Sequence, residues 1–476
     1  MVTSNNTAKN PNIQKNKRTD SRPTFLPPDI PYDFSGQNMT PYGGLLPLSA
    51  LMDRLEFGEL CKQKIQFERI PISMNPPDFL IAIILSLYLG YDRLNHMKYI
   101  KNDPMITGIL NVVSLPVQST FHRFLMALGK DAEIGLKNIN QEMMRRVWIV
   151  GNVVSKNITI DTDTTVNTVY GEQEKACKGY NPKNKGKKSY MPVMSFIAET
   201  GECLAGYNRG GQKMSGKEVA EHIRGFRGLI PKRNVNLLCR ADAGFYSWEA
   251  VNAYEEIQAK FIIVAQKTPK MQGKLEFGKL KWQTQNGTDG VTEFMYQPMW
   301  WPKKCRFLAV RYEIEDDKDS DEPGLILGKK YLYRAFITNM KENPWKLIEF
   351  YDGRAGCENL IKEAMHDVGM SSVPSKDFTA NCNYFQLGII AYNFNRWLQI
   401  LSLDGEEKYT RTKLETQRLT MVYIAAKIVK HAGRIRLSYS SEYEHKDRFK
   451  RLLARVLSIR RKNGCFVPVI ATPQFA

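Results

Sequence analysis

Cysteine and histidine are scarce in this sequence, and neither occurs at a spacing that binds metal. The eight cysteines include no C-x-x-C pair, and the six histidines form no H-E-x-x-H motif. These absences argue against a zinc framework, a disulfide scaffold and histidine-based catalysis. Reduced thiols in a cytosolic protein are the simplest interpretation of the cysteines.

Long apolar segments are also missing. The longest, residues 79–91, is too short to span a bilayer and fits a buried helix better. No apolar segment follows a basic start at the N-terminus, so we expect neither a signal peptide nor a membrane partner.

Acidic residues are too few to balance the basic ones. The 476-residue chain has 49 Asp and Glu against 68 Lys and Arg, which gives a formal net charge of +19. Such an excess favours a polyanionic partner, of which nucleic acid is the commonest large example. A chain of this length can form about two to four structural units with a substantial core.

The composition divides the chain into segments. Residues 1–38 are rich in Asn, Lys, Ser and Pro and are predicted to be a disordered basic tail. Residues 39–150 have helical periodicity and are predicted to be a DNA-binding domain. Within them, residues 106–113 and 118–128 resemble a helix-turn-helix, with Arg123 near the groove-facing start of the second helix. An ordinary helical hairpin explains this pattern equally well.

β-branched and apolar runs follow the helical segment. Residues 151–268 are predicted to contain three strands, a helix, a strand, a helix and a strand. This order matches an α/β fold of the ribonuclease H-like type, a mixed sheet with flanking helices. We assign residues 151–268 and 341–402 to two parts of this catalytic core, and residues 269–340 to a β-rich insertion whose last strand returns to the core sheet. Residues 403–476 form a basic C-terminal region.

Carboxylates occur where chance would rarely put them. Asp161 and Asp163 lie two residues apart in an apolar strand, so both side chains point to the same face of the sheet. A charged residue in a buried strand is costly unless it is paired or bound to metal. Asp242 directly follows the strand at 235–239, at the kind of strand end where α/β proteins build sites. Glu358 lies on a helix after the predicted insertion.

The helix with Glu358 carries further polar residues. Four of them are spaced three, four and four residues apart and would share one helical face: Tyr351, Arg354, Glu358 and Lys362. Gly353 and Gly356 would let a backbone or a phosphate come close to this face. The alternative is a solvated stripe with a Glu358–Lys362 ion pair, and the pattern alone does not decide between the two.

Three motifs together resemble those of a known enzyme family. The sequence contains DTT at 163–165, DAGFY at 242–246 and YDGRAGCE at 351–358. In this order they are similar to the motifs of the DDE transposases of bacterial insertion sequences, in the branch with a β-rich insertion before the glutamate. The resemblance covers roughly residues 40–460. It departs from the family seven residues after the glutamate, where a lysine is common and Met365 stands here.

The resemblance implies a metal-dependent mechanism. Asp163, Asp242 and Glu358 would hold two Mg²⁺ ions, or Mn²⁺ in their place, and such hard cations prefer oxygen ligands. The two ions would activate the attacking oxygen and stabilise the leaving oxygen while DNA strands are cut and joined. Asp163, rather than Asp161, is taken as the first ligand because it directly precedes the two threonines of the motif.

The resemblance also implies partners. These are double-stranded DNA, in the form of terminal inverted repeats and target DNA, and a second copy of the chain in a homodimer on DNA, in the cytoplasm at the nucleoid. Arg354 would clamp a phosphate bidentately. Tyr351 would contact the backbone near the cut strand, and Lys362 is the nearest substitute for the family lysine.

Two other segments are candidates for contact with DNA. The basic loop 178–190 is predicted to follow phosphates with five lysines: Lys178, Lys183, Lys185, Lys187 and Lys188. A merely solvated loop is the alternative. In related transposases an aromatic residue of the insertion stacks on a flipped base, and Trp300 is the candidate here. Packing in the core or on a β surface is the favoured interpretation of Trp300 and Trp301.

Other functions are compatible with parts of the sequence. A ribonuclease H-like nuclease would use the same carboxylates without strand transfer, but the insertion and the motif at 351–358 argue against it. A catalytically inactive DNA-binding protein of transposase origin is disfavoured by the intact carboxylates. A carboxylate pair for glycoside hydrolysis would leave the basic C-terminal region unexplained.

Overall fold

The computed structural model of the chain describes residues 30–67, 74–231, 234–285, 289–314, 330–402 and 412–471. Residues 1–29, which make up most of the predicted disordered tail, lie outside the described residues. Residues 30–37, the described part of a first unit, contain neither helix nor strand. The chain from Asn38 onwards belongs to a second unit.

The second unit begins with a short strand and a series of helices: β1 (Met39–Thr40), α1 (Leu46–Arg54), α2 (Phe57–Lys64), α3 (Pro76–Tyr88), α4 (Met97–Ile100), α5 (Pro104–Leu110), α6 (Gln118–Ala127) and α7 (Asp131–Val150). α3 is buried on nearly all sides, so the prediction of a buried helix for this segment is confirmed. Phe121 and Phe124 of α6 contact Phe79 of α3. The apolar side of α6, with Phe121, Phe124 and Leu125, therefore faces the core.

Strands form the middle of the second unit: β2 (Asn157–Thr164), β3 (Asn167–Thr168), β4 (Cys177–Lys178), β5 (Lys188–Tyr190), β6 (Val193–Ile197), β7 (Cys203–Tyr207), β8 (Asn236–Ala241), β9 (Lys260–Val264), β10 (Gln283–Gln285), β11 (Asp289–Tyr296), β12 (Cys305–Ile314) and β13 (Lys330–Thr338). Within the described residues, nine of them form one mixed sheet in the order β10-β11-β12-β13-β9-β8-β2-β6-β7. β3, β5 and β4 form a small sheet beside it.

The strands change direction across the large sheet. β2 runs parallel to β8, and β8 runs parallel to β9. β6 and β7 continue the sheet antiparallel beyond β2, and β13, β12, β11 and β10 continue it antiparallel beyond β9. The strands of the predicted insertion therefore extend the core sheet, and β13 is the strand that returns to it.

Helices cover both faces of the sheet: α8 (Gly216–Leu229), α9 (Trp248–Glu256), α10 (Pro269–Phe277), α11 (Pro344–Asp352), α12 (Ala355–Lys362) and α13 (Phe378–Ser402). Successive residues of β9 show why both faces need cover. Ile262 belongs to a cluster with Leu347 and Tyr351 of α11, whereas Ile263 belongs to the main core. Adjacent residues of a strand point to opposite faces, so a strand with two apolar faces requires helices on both sides.

The segment 344–368 is divided, which corrects the single helix that the sequence predicts. α11 ends at Asp352, α12 begins at Ala355, and a π-helical turn spans Glu363–Asp367. At the break, a Cβ on Gly353 would lie 2.6 Å from Nη1 of Arg240. The glycine is thus required for the close approach of this arginine.

The division also breaks the polar stripe that the spacing predicts. Tyr351 and Arg354 are buried, whereas Glu358 and Lys362 are exposed. The four residues therefore do not form one surface facing a ligand. No ion pair between Glu358 and Lys362 occurs in the described structure.

α13 joins the helices that precede the sheet to the sheet itself. Asn393 on α13 bonds with the backbone N–H and C=O of Cys203 at 2.8 and 2.9 Å and donates to Asn140 of α7 at 2.7 Å. The described helices, the large sheet and the basic region consequently contribute side chains to one main core, and the division of the chain into functional domains stays a prediction. Within the described residues, neither α13 nor another helix is both long and apolar enough to cross a membrane.

Glu202 makes a second link between the same elements. Its buried carboxylate accepts the indole N–H of Trp148 on α7 at 2.8 Å and that of Trp397 on α13 at 2.7 Å. Burial raises the pKa of Glu202, and the hydrogen bonds oppose that shift. A buried polar group of this kind is stable only while its partners remain in place.

The chain ends in a basic region with elements of its own: α14 (Leu414–Gln417), β14 (Ala426–His431), β15 (Arg434–Tyr439), α15 (Lys446–Leu457), β16 (Arg461–Lys462) and β17 (Cys465–Phe466). β1, β14 and β15 form a three-stranded sheet. α15 is amphipathic and buries Phe449, Leu452 and Val456. The apolar side of α15 anchors this region to the main core.

Candidate active site

Asp163 and Asp242 lie at the same edge of the sheet, at the carboxyl ends of neighbouring parallel strands. The register of β2 and β8 ends with Thr162 opposite Ala241. Asp163 is the next residue of β2, and Asp242 directly follows the end of β8. Neighbouring strands are about 4.8 Å apart, so the two carboxylates interact. The backbone N–H of Gly244 donates to Oδ1 of Asp242 at 2.9 Å, which fixes the orientation of this side chain.

Burial raises the pKa of Asp163 to about 6. Its side chain is only 15% exposed, and a carboxylate that loses its hydration holds its proton more tightly. Arg354 opposes this shift, because its Nη2 lies 2.7 Å from Oδ2 of Asp163. The negative charge of Asp242 raises the pKa again. The site therefore holds more negative charge than its single buried arginine neutralises.

Arg354 is the positively charged side chain that lies against Asp163. Burial lowers the pKa of its guanidinium, but the negative charges around it, first that of Asp163, raise it above its ordinary value. Its Nη2 also lies 3.4 Å from the carbonyl oxygen of Thr162. Its buried Nε has no hydrogen-bond partner among the described residues. The guanidinium is therefore charged and incompletely satisfied, and a further acceptor would stabilise it.

Asp161 has a structural partner. Its two carboxylate oxygens accept hydrogen bonds from Nε and Nη2 of Arg240 at 2.6 and 2.7 Å. The third nitrogen, Nη1, donates to the carbonyl oxygen of Phe350 at 2.6 Å. Asp161 is thus held in a buried bidentate pair, which leaves Asp163 as the carboxylate free of a bidentate partner. Sequence reasoning missed Arg240, although an arginine in an apolar strand was a usable signal.

Glu358 lies on α12, one turn after Arg354, and its side chain is exposed. α12 itself lies against β2, since Sγ of Cys357 is 3.8 Å from the carbonyl oxygen of Asp161. In the described ranges, no three acidic, cysteine or histidine side chains are grouped closely enough to hold a metal ion. The structure therefore brings Asp163 and Asp242 together and leaves Glu358 outside this pair on the adjacent helix.

Tyr351 and Lys362 have opposite environments. The ring of Tyr351 is buried, 4.9 Å from that of Phe336, and burial raises the pKa of its hydroxyl. Lys362 is exposed at the end of α12. Met365, at the position of the family lysine, is buried. Only Lys362 is thus placed to meet an external ligand.

The loop between β11 and β12 presents an exposed tryptophan. Trp300 is 91% exposed and has a left-handed backbone conformation, with φ of 72°. The packing interpretation is therefore wrong for Trp300. It holds for Trp301, which stacks on Tyr246 at 5.3 Å and contacts Trp248 at 5.5 Å. Because Tyr246 closely follows Asp242 in the chain, Trp301 fixes this loop beside the segment that carries the second aspartate.

The candidate DNA-contacting cations outside the site are mostly exposed. Asn181 and Asn184 hold the basic loop by donating to Oγ1 of Thr168 at 3.0 and 3.1 Å. Four lysines of this loop are exposed: Lys178, Lys183, Lys185 and Lys187. Lys188 is half-buried on β5, 3.3 Å from Glu172. Arg123 is exposed on α6. Their contact with DNA stays a prediction.

Among solved structures, the chain is similar to one in the cryo-EM structure of a piggyBac transposase synaptic complex with hairpin DNA. The two are 13% identical, the similarity covers 80% of each, and the TM-score is 0.44. This likeness is too distant to carry an argument. Among curated proteins, none matches. The family model described as transposase DDE domain group 1 matches residues 24–461, which is most of the chain. The chain therefore belongs to the transposase DDE domain group 1 family.

Proposed function

We propose that the protein is a DNA transposase that binds the ends of a bacterial insertion sequence and catalyses metal-dependent strand cleavage and strand transfer. The observation that carries the proposal is the pair of aspartates, Asp163 and Asp242, at the ends of neighbouring parallel strands in a chain of this family. The carboxyl ends of strands are where α/β sheets build their sites.

The proposal includes a ribonuclease H-like core. The strand order β7-β6-β2-β8-β9 supports it. β2 is the central strand of these five, with antiparallel neighbours on one side and parallel neighbours on the other. This topology puts the ends of β2 and β8 side by side, which is what a two-aspartate site requires.

Asp163 and Asp242 fit a divalent cation. Carboxylate oxygens are the ligands that Mg²⁺ prefers. Burial is the main cause of the raised pKa of Asp163, and the negative charge of Asp242, which a cation would neutralise, raises it further. Glu358, the proposed third ligand, must turn inward from the exposed side of α12 to join them. Two bound Mg²⁺ ions would supply Lewis acids for the attacking and leaving oxygens.

Arg354 is proposed to bind a DNA phosphate. Its guanidinium is charged, lies at the aspartates and has one buried N–H without a partner. A phosphate would offer it the bidentate geometry that Asp163 does not. Transfer of Arg354 from Asp163 to the phosphate would also free Oδ2 of Asp163.

We assign roles to the remaining candidate DNA-contacting residues according to whether their side chains are exposed or buried. Exposed Trp300 is proposed to stack on an unpaired base near the second aspartate. Lys362, Arg123 and the lysines of the basic loop are proposed to meet phosphates, since charged side chains there position DNA without reading its sequence. Tyr351 is buried, so we assign it a supporting role beneath Arg354 in place of the DNA contact that the motif implies.

Two DNA ends must be joined, and we therefore propose a homodimer on DNA. Sedimentation of the protein with duplexes carrying the ends of the element measures this directly. A complex containing two chains and two duplexes is expected. A single chain on each duplex as the largest species would contradict the dimer.

Strand cleavage tests the function. The protein is incubated with a labelled duplex that carries the junction between the element and its flanking DNA, in Mg²⁺ or in EDTA. Asp242→Asn tests the site, and Asp53→Asn, at an exposed aspartate of α1, is the matched control. Cleavage at the junction is expected for the native protein and the control in Mg²⁺. No cleavage is expected in EDTA or with Asp242→Asn.

Other outcomes identify the alternatives. Cleavage without any joined product would favour a nuclease. Salt-sensitive binding of the duplex, without cleavage in Mg²⁺ or Mn²⁺, would favour a DNA-binding protein that has lost catalysis. Cleavage that survives Asp242→Asn would contradict the site itself.

A further inference from the structure

The basic C-terminal region contains a hairpin that none of the proposed roles uses. Residues 426–439 include four Lys and Arg residues and no Asp or Glu. β14 and β15 are joined by Ala432 and Gly433, which both have positive φ, 47° and 76°. Positive φ at both central residues is characteristic of the type I′ turn, which suits the twist of a tight two-residue hairpin. The hairpin is thus a well-defined ribbon.

The register of the hairpin separates its side chains into two faces. Three cross-strand pairs make up what we call the outward face: Lys427 with Ser438, Val429 with Arg436, and His431 with Arg434. The opposite face, which we call the inner face, contains the pairs Ala426 with Tyr439, Ile428 with Leu437 and Lys430 with Ile435. Directly paired residues lie on the same side of an antiparallel ladder. The cations Lys427, Arg434 and Arg436 therefore share one face.

The inner face anchors the ribbon at its base. Ala426 is buried, and the hydroxyl of Tyr439 donates to the carbonyl oxygen of Gly43 at 3.0 Å. The ring of Tyr439 also contacts that of Phe449 on α15 at 5.4 Å. β1 pairs with β14 only at Lys427 and Ala426. The distal half of the ribbon therefore extends beyond its support.

The outward face carries positive charge without internal compensation. Lys427, Arg434 and Arg436 are exposed, and no ion pair in the described part of the chain involves them. On the opposite face near the tip, Ile435 is 72% exposed. A surface cation with no partner gains most from a polyanion, since binding releases the counterions of the polyanion.

We propose that this hairpin binds double-stranded DNA as a two-stranded ribbon in the major groove, with its outward face toward the phosphates. The major groove admits a β-ribbon of this width. Alternate residues of one strand, such as Arg434 and Arg436, are about 6.8 Å apart, close to the rise of roughly two phosphates along one DNA strand. The inference rests on the proposed function only in that DNA is the partner.

The test is the salt dependence of binding by the full chain in EDTA, where no cleavage step takes part. Fluorescence anisotropy with a labelled 30-base-pair duplex of arbitrary sequence, as the probe, gives the slope of log K against log salt. Arg434→Gln with Arg436→Gln should reduce the slope by about 1.8. That corresponds to binding about 60-fold weaker at 0.1 M salt, relative to a common value at 1 M.

Two matched variants make the test specific. Lys217→Gln with Lys281→Gln removes the same charge at exposed lysines on α8 and before β10, and should leave the slope nearly unchanged. Arg434→Lys with Arg436→Lys keeps the charge and should restore most of it. An unchanged slope for the arginine-to-glutamine variant, or an equal fall for both glutamine variants, would overturn the proposal. An equal fall of the slope with the corresponding single-stranded probe would contradict binding in the major groove.

This measurement is independent of catalysis. If the hairpin variant shows the expected fall in slope but the native protein does not cut DNA, the DNA-binding role of the hairpin is supported and the transposase function is contradicted. A chain that cuts at the junction while the hairpin variant keeps the native slope supports the transposase and contradicts the hairpin. Since the substituted side chains are exposed, melting temperatures within about 1 °C of the native value are expected for all variants.

Discussion

Replacing Asp163 with asparagine is expected to stabilise the metal-free protein, although it removes a carboxylate of the candidate site. The pKa of Asp163 is about 6, against an ordinary value of 3.8. This difference disfavours the charged form in the folded chain by about 3 kcal/mol at neutral pH. The attraction of Arg354 is already included in that value, so burial outweighs it. Asparagine has a similar shape and no charge, and relieves most of this cost.

The expected gain can be converted into a melting temperature. Unfolding entropy is about 2.1 cal/mol/K for each residue, so a chain of this size gains about 3 °C from 3 kcal/mol. Thermal unfolding in EDTA at pH 8, followed by circular dichroism, measures the difference. Asp53→Asn is the control for a generic aspartate-to-asparagine change, and it should melt within about 1 °C of the native protein.

The gain has a defined dependence on pH. Because the folded-state pKa of Asp163 lies above the unfolded one, its contribution to stability is fully present below about pH 3.8 and is lost as the pH rises through about 6. The variant and the native protein should therefore differ little near pH 4 and differ fully at pH 7 to 8. Mg²⁺ should raise the melting temperature of the native protein more than that of the variant.

A lower melting temperature for Asp163→Asn than for the native protein at pH 8 would refute this reasoning. It would mean that the loss of the Arg354 partner costs more than the removal of the buried charge relieves. A difference that stays the same between pH 5 and pH 8 would likewise exclude titration of Asp163 as its source.

Three further predictions concern positions whose surroundings are known. Gly353→Ala should lower the melting temperature and the cleavage rate, because its Cβ would lie 2.6 Å from a guanidinium nitrogen of buried Arg240. Gly356→Ala is the control, since it has open space around it and should change the free energy of unfolding by at most about 1 kcal/mol. Glu202→Gln should cost about 1–3 kcal/mol in urea unfolding at pH 7, because one of two buried indole N–H groups loses its acceptor. Trp301→Ala should lower the melting temperature, whereas Trp300→Ala should preserve it and weaken binding of the element ends; equal melting of these two variants would contradict the assignment.

The strands that carry the aspartates could be predicted because their signals are local. Apart from Asp161, Asp163 and Asn236, residues 158–166 and 235–239 are β-branched or apolar, and they correspond closely to β2 and β8. The motifs at Asp163 and Asp242 follow from the ends of these strands. Once two parallel strands are neighbours, their carboxyl ends meet at one edge without further information.

The pairing of Asp161 with Arg240 could not be predicted in the same way. It depends on the register that places residue 161 opposite residue 240, and no local pattern contains that register. The sequence places two aspartates on one face of β2, and only the resemblance to the family motif favours Asp163 over Asp161. The cross-strand arginine gives the physical reason, because Arg240 neutralises Asp161 inside the protein and leaves Asp163 at the strand end.

The tryptophan pair shows the same limit at shorter range. Trp300 and Trp301 are neighbours of identical type, yet one is exposed and the other stacks on Tyr246. Their difference comes from the left-handed backbone at Trp300, which turns the two side chains apart. Residue type alone favours burial for both, and it is therefore correct for only one.

The position of Glu358 depends entirely on tertiary contacts, so spacing along a helix could not supply it. Gly353 interrupts the helix because Arg240 approaches it. Beyond Glu358, the buried carboxylate of Glu363 is paired with Arg396 of α13, which holds the far end of α12 to the core. α12 is thus fixed at both ends, and any rotation of this short helix that turned Glu358 toward the aspartates would be opposed by both anchors. Eight residues held in this way can turn only slightly, so a side-chain rearrangement of Glu358 and Arg354 is the movement that the structure permits most easily.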